Sequence, residues 1–189
     1  MVTKNKQAVK SSKKLADFLE KTGLHKKDFS QMVGVTLSYV YNLIDESIPF
    51  STRSATIERI AVVMDINPEE FPEYRIPQEP IIIDETIEFL KEKQHEKGLS
   101  TVQFLKAFPR KKRIEIVDIM RGALPIPIDW NELKMIGSIL DISNTELYPY
   151  WENRMKDVLK SSGMNLRENA ELTDTIFKCA EKYIKNTEN

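Results

Sequence analysis

Leu37, Ser38, Tyr41 and Asn42 fall on one face of a segment, 36–45, whose other face carries Val40, Leu43 and Ile44. The chemistry open to the first four is noncovalent. An Asn side chain matches an adenine edge, a Ser matches several bases, and an apolar group meets a thymine methyl. A plain solvated helix would show Glu, Lys and Arg there instead. Packing against a partner protein is the other reading of this face. Around it stand groups suited to a phosphate backbone: Lys26, Lys27, Thr36, Ser51, Thr52 and Arg53. A second basic cluster, Arg110-Lys111-Lys112-Arg113, suits salt-sensitive, sequence-independent phosphate contact. It also reads as a solvated helix start, which the helix dipole disfavours, or as a localisation signal.

Covalent chemistry has little to work with. Cys179 is the only cysteine, and His25 and His95 are the only histidines, so neither an intrachain disulfide nor a Cys/His metal cluster can form. There is no Gly-rich phosphate loop, and neither histidine lies in a catalytic motif. The carboxylates read as helix caps and surface charge. No enzyme activity, metal or cofactor is expected.

The chain has 189 residues and a formal net charge of −1. A local basic patch can coexist with that balance. Lys4, Lys6, Lys10, Lys13, Lys14, Lys21, Lys26 and Lys27 face only Asp17 and Glu20 at the start of the chain. This run reads as a solvated terminus or as an arm resting on phosphates. No stretch reaches the ~20 apolar residues of a membrane span, and no signal peptide is visible, so a cytoplasmic location is expected.

The elements that must position these groups are short helices. Leu15, Phe18 and Leu19 predict a helix over 11–22, closed by Gly23. Phe29, Met32 and Val33 give a second over 26–33, closed by Gly34, where only Gly adopts a left-handed turn cheaply. Thr36 is placed to cap the third through its hydroxyl. Ser51 or Thr52 caps a fourth, with Arg53 in its first turn and Ile57, Ile60, Ala61 and Met64 inward. Asn67-Pro68-Glu69-Glu70 starts a fifth.

This pattern resembles the Cro/C1-type helix-turn-helix domain of the XRE family of repressors. The matching residues are Leu24, Ser30, Gly34-Val35, Val40, Leu43, Ile60-Ala61 and Ile66-Asn67-Pro68-Glu69-Glu70-Phe71. The resemblance implies a lambda-repressor-like fold, with 36–45 entering the major groove of double-stranded DNA. The chain departs from the family at Ile44 and Glu46, which stand where a Glu and then a Gly are usual. Leu37 replaces a base-reading Gln, and Asp45 puts a negative charge near the expected path of the phosphates.

The segment also repeats. Lys21-Thr22-Gly23-Leu24 returns as Glu96-Lys97-Gly98-Leu99, Phe29 as Phe104, and Ile60 to Phe71 as Ile136 to Leu147. In the second copy Pro109-Arg110 replaces the turn glycine. Ser143 and Glu146 repeat the capping box. Tyr148, Tyr150 and Trp151 read as a packing seam. The expected architecture is all-α: a basic arm (1–10), a first helix-turn-helix domain (11–76), a proline-containing linker (77–82), a second, diverged domain (83–151) and C-terminal helices (152–189).

In the tail, Leu172, Ile176, Cys179, Ala180, Tyr183 and Ile184 form an apolar stripe, with Cys179 read as a small buried residue. The stripe must cover the second domain or pair with a copy of itself. The functional expectation is a DNA-binding transcriptional regulator, homodimeric through these helices or the second domain. The alternative is an antitoxin-like or co-regulator module whose helix faces bind a protein.

Overall fold

The computed structural model describes residues 10–76 and 85–186. The linker read at 77–82, and all of the arm except Lys10, lie outside them. Among the described residues the chain is all-helical, with no strand. It divides into two compact units, Met1–Ile81 with Ser100–Arg121, and Ile82–Leu99 with Gly122–Asn189. The boundary read from the repeat at residue 83 does not coincide with this division: 100–121, assigned from sequence to the second domain, belongs with the first unit.

The first unit holds α1 (Ser11–Thr22), α2 (Lys26–Val33), α3 (Leu37–Ile44), α4 (Ser54–Met64), a 3-10 turn at Pro68–Glu70, and two later helices described below. Leu15 and Leu19 bury the inner face of α1, which ends at Gly23 with φ 62°. Phe29, Met32 and Val33 are fully buried on α2, each such side chain contributing about 1.5–3 kcal/mol. The Ser30 hydroxyl turns back to donate to the Lys27 carbonyl at 2.8 Å. Thr36 caps α3 as read, its Oγ1 accepting from the Tyr39 N–H at 3.2 Å. Neither Ser51 nor Thr52 caps α4; Arg53 occupies that position and offers no side-chain cap. The Asn67 cap forms, but over a 3-10 turn rather than an α-helix.

Two helices from the repeat complete this unit. The helix α6 (Thr101–Lys106) opens with a capping box between Ser100 and Gln103. A 3-10 turn at Arg110–Lys112 leads into α7 (Arg113–Met120). The helix α7 packs on α2 and α4. Two features fix it there. Ile114 covers the α2–α3 turn so closely that a Cβ on Gly34 would lie 2.1 Å from its Cδ1. Arg59 on α4 holds both carboxylate oxygens of Asp118, at 2.7 and 2.9 Å. Arg121 then bridges Asp118 at 2.7 Å and Glu58 at 2.5 Å, and Tyr74 donates to Glu58 at 2.9 Å. Burial and the Glu58 carboxylate push the Tyr74 hydroxyl up to about 12. The result is a closed chain of paired charges, each member partnered as burial requires.

The second unit holds α5 (Glu85–Glu96), α8 (Trp130–Ile139), α9 (Asn144–Ser161) and α10 (Ala170–Asn186). Ile87 and Leu90, then Leu133 and Ile136, then Leu147 and Tyr148 are buried. Gly137 lets α8 and α9 cross closely, since a Cβ there would meet Leu147 Cδ1 at 2.3 Å. The Ser143–Glu146 capping box forms as read. The boundary expected at 151/152 falls inside α9, one continuous helix with Pro149 within it. The aromatic seam forms: Phe89 stacks on Tyr150 at 4.4 Å, and the Tyr148 hydroxyl donates to the Phe177 carbonyl at 2.7 Å.

The tail stripe is corrected. Phe177 and Ile184 are the side chains α10 buries. Cys179 is exposed rather than buried. The helix is turned so that its largest apolar side chain, Phe177, meets the edge of Trp151, their centroids 6.4 Å apart.

Local backbone geometry recurs at the repeat offset. Gly23 and Gly98 lie at φ 62° and 65°, and Asp65 and Asp141 both at 57°. The Ile66 N–H donates to the Ala61 carbonyl, and the Ile142 N–H to that of Gly137, at 3.0 and 2.9 Å.

Candidate nucleic-acid interface

The helix α3 presents the face read from its sequence. Val40 and Leu43 are buried, while Leu37 is 39% and Tyr41 53% exposed. Ser38 and Asn42 are exposed beside them. Two anchors hold the helix: the Thr36 cap, and the Tyr39 hydroxyl, which donates to the Ser51 carbonyl at 3.0 Å. Tyr41 is also placed from outside, with the Lys26 ammonium 5.5 Å from its ring centroid. Such a contact favours a cation over the ring face and leaves the tyrosine edge open.

The groups read as phosphate contacts divide. Lys27, Thr36, Ser51 and Arg53 are exposed, and Lys26 is half-buried at the edge of α2. Thr52 is a correction: its Oγ1 is buried without a hydrogen-bond partner, where a phosphate cannot reach it.

The basic tetrad divides as well. Arg110 and Lys111 are exposed. Lys112 is half-buried and pairs with Glu115 at 3.0 Å. Arg113 is buried, its Nε donating to the Phe108 carbonyl at 3.2 Å and its Nη1 lying 3.7 Å from Asp28. Its role is to hold α7 against α2, so phosphate contact by Arg113 is corrected to a structural one.

Arg110 belongs beside the first site rather than to a separate one. A cleft of about 480 Å³ is lined by His25, Lys26, Lys27, Asp28, Leu37, Tyr41 and Arg110. It joins the start of α2, the outward face of α3 and the turn before α7. Arg110 Nη2 lies 3.8 Å from Asp28, a loose exposed pair worth little in water. His25, Asp28 and Arg110 are the lining residues that the sequence reading did not place in this site. Nothing local could have placed Arg110, since the turn that carries it is brought here by α7. Chemically the cleft offers cations around an aromatic and an apolar side chain, a setting that suits a phosphate flanked by something less polar.

Among the described residues no group of three or more metal-ligating side chains gathers, and no helix is long and apolar enough to cross a membrane. No family model, curated protein or solved structure matches the chain.

Proposed function

We propose that this protein is a sequence-specific DNA-binding regulator of the repressor type, with α3 in a major groove. The observation that carries the reading is the cleft itself. Three cationic side chains, Lys26, Lys27 and Arg110, border the exposed Leu37 and Tyr41 face of α3. In this reading Leu37, Ser38, Tyr41 and Asn42 meet base edges. Lys26, Lys27, Thr36, Ser51, Arg53 and Arg110 hold the phosphate backbone. The net charge of −1 is compatible with a local basic patch of this kind.

Selection of bound fragments from a random DNA pool, followed by titration at several salt concentrations, tests it. An enriched motif is expected. Asn42→Ala should relax preference at one position, a loss of about 1–3 kcal/mol in discrimination. Lys27→Ala and Arg110→Ala should weaken binding to all sequences, each lowering the salt slope by about 1. No enriched motif together with no salt-dependent binding would sink the reading. The exposed Leu37 and Tyr41 would then favour a protein partner on the same face.

A further inference from the structure

The helix α10 has two apolar faces, and only one is buried among the described residues. Phe177 and Ile184, seven residues apart, are buried against α9. The Asn144 side chain and the Tyr148 hydroxyl fasten the same side by donating to the Ile184 and Phe177 carbonyls. About 120° round the helix, by its 3.6-residue turn, lie Leu172 (54% exposed), Ile176 (51%), Cys179 and Tyr183 (71%). Their spacing of four, three and four residues is that of a coiled-coil seam. A solvated helix has no reason to keep that spacing.

We propose that this face pairs antiparallel with the same face of a second copy of the chain. Charge selects both the partner and the direction. Lys178 and Lys185, on the third side of the helix away from the seam, already pair within the helix, with Asp174 at 2.9 Å and Glu181 at 2.7 Å. Glu171 at the start of the helix and Lys182 near its end have no ion-pair partner among the described residues. In an antiparallel pair centred between Ile176 and Cys179, Glu171 of each copy lies alongside Lys182 of the other. The two opposed helix dipoles favour the same arrangement. The contact is self-complementary, as a two-fold dimer requires. A seam on one helix buries less than the ~1,600 Å² of a standard interface, so the dimer is weak and concentration-dependent.

The geometry makes the single cysteine a reporter. Cys179 and its copy lie about three residues, or ~4.5 Å, apart along the axis, within reach of a disulfide. Leu172 and its copy lie eleven residues, ~16 Å, apart.

Sedimentation of the full chain over a concentration series, with mild oxidation in parallel, tests the proposal. A monomer–dimer equilibrium is expected, together with a disulfide-linked dimer through Cys179. Ile176→Glu should weaken the dimer by about tenfold or more and leave the helical circular dichroism and the melt unchanged, because Ile176 is exposed in the single chain. In a Cys179→Ala background, Leu172→Cys should fail to cross-link. A chain that stays monomeric at every concentration overturns the proposal, as does a dimer indifferent to Ile176→Glu. Efficient cross-linking of Leu172→Cys overturns it too, since that signals a parallel pair.

Discussion

At the scale of single residues, the turn between α2 and α3 answers to two independent constraints. Gly34 has φ 75°, a region in which an L side chain is strained. A Cβ there would also run into Ile114 at 2.1 Å. Gly34→Ala should therefore destabilise the fold by about 2–4 kcal/mol, combining the left-handed backbone with overpacking. The two contributions separate in a double variant. Adding Ile114→Ala should relieve the steric part and leave the backbone part, so urea unfolding should show coupling between the substitutions. Strict additivity would mean that Ile114 does not press on the turn. The backbone part was legible in the sequence, because a glycine between two helical patterns has a local meaning. Ile114 was not, because nothing in the order of residues says that α7 comes to rest on Gly34. The same division runs through the site. Thr36 and Ser143 cap as read, since a cap acts within three residues. Arg113 turns inward because α7 packs on α2, which comes from elsewhere in the chain.

At the scale of elements, α4 and α7 are joined by paired charges whose worth depends on pH. Burial alone would raise the Asp118 carboxyl, but hydrogen bonds from Arg59 and Arg121 outweigh it and hold the carboxyl below its ordinary value. A carboxyl depressed in the folded state stabilises the fold above its unfolded pKa of about 3.9. That contribution is lost as pH falls through the lower, folded value. Stability of the first unit should therefore decline in acid below about pH 4. Asp118→Asn should lower stability at neutral pH and flatten the acid decline, as read from chemical denaturation across the pH range. Asp118→Ala leaves Arg59 unpaired and Arg121 with Glu58 alone, at a cost of about 3 kcal/mol. An unchanged acid limb in Asp118→Asn would show that other carboxylates govern it. The helices themselves were readable from apolar spacing, glycines and caps. Their partners were not: Arg59 and Asp118 are 59 residues apart, and either alone reads as ordinary surface charge.

At the scale of the whole chain, the repeat suggested a cut at the proline-containing segment, with a self-sufficient domain on each side. The first unit instead takes α6 and α7 from beyond that segment. The difference has a physical content. A fragment ending at residue 82 keeps α1 to α4 but loses Ile114 from the Gly34 turn and Asp118 and Arg121 from the charges of Glu58 and Arg59. It also uncovers the sides of α2 and α4 on which α7 packs. Removing one partner of a buried pair costs about 3–5 kcal/mol, comparable with the whole stability of a small domain. Fragment 1–82 should therefore melt at markedly lower temperature than fragment 1–121, which contains every helix of the first unit, or show no cooperative transition at all. Thermal melts of the two fragments, followed by circular dichroism, decide this. Equal melting temperatures would mean that α6 and α7 add nothing to the first unit's stability and that the cut read from the repeat is the true folding boundary. A fragment 1–121 that melts well above 1–82 would also show why binding by α3 should be assayed on the longer piece, since Arg110 is present only there.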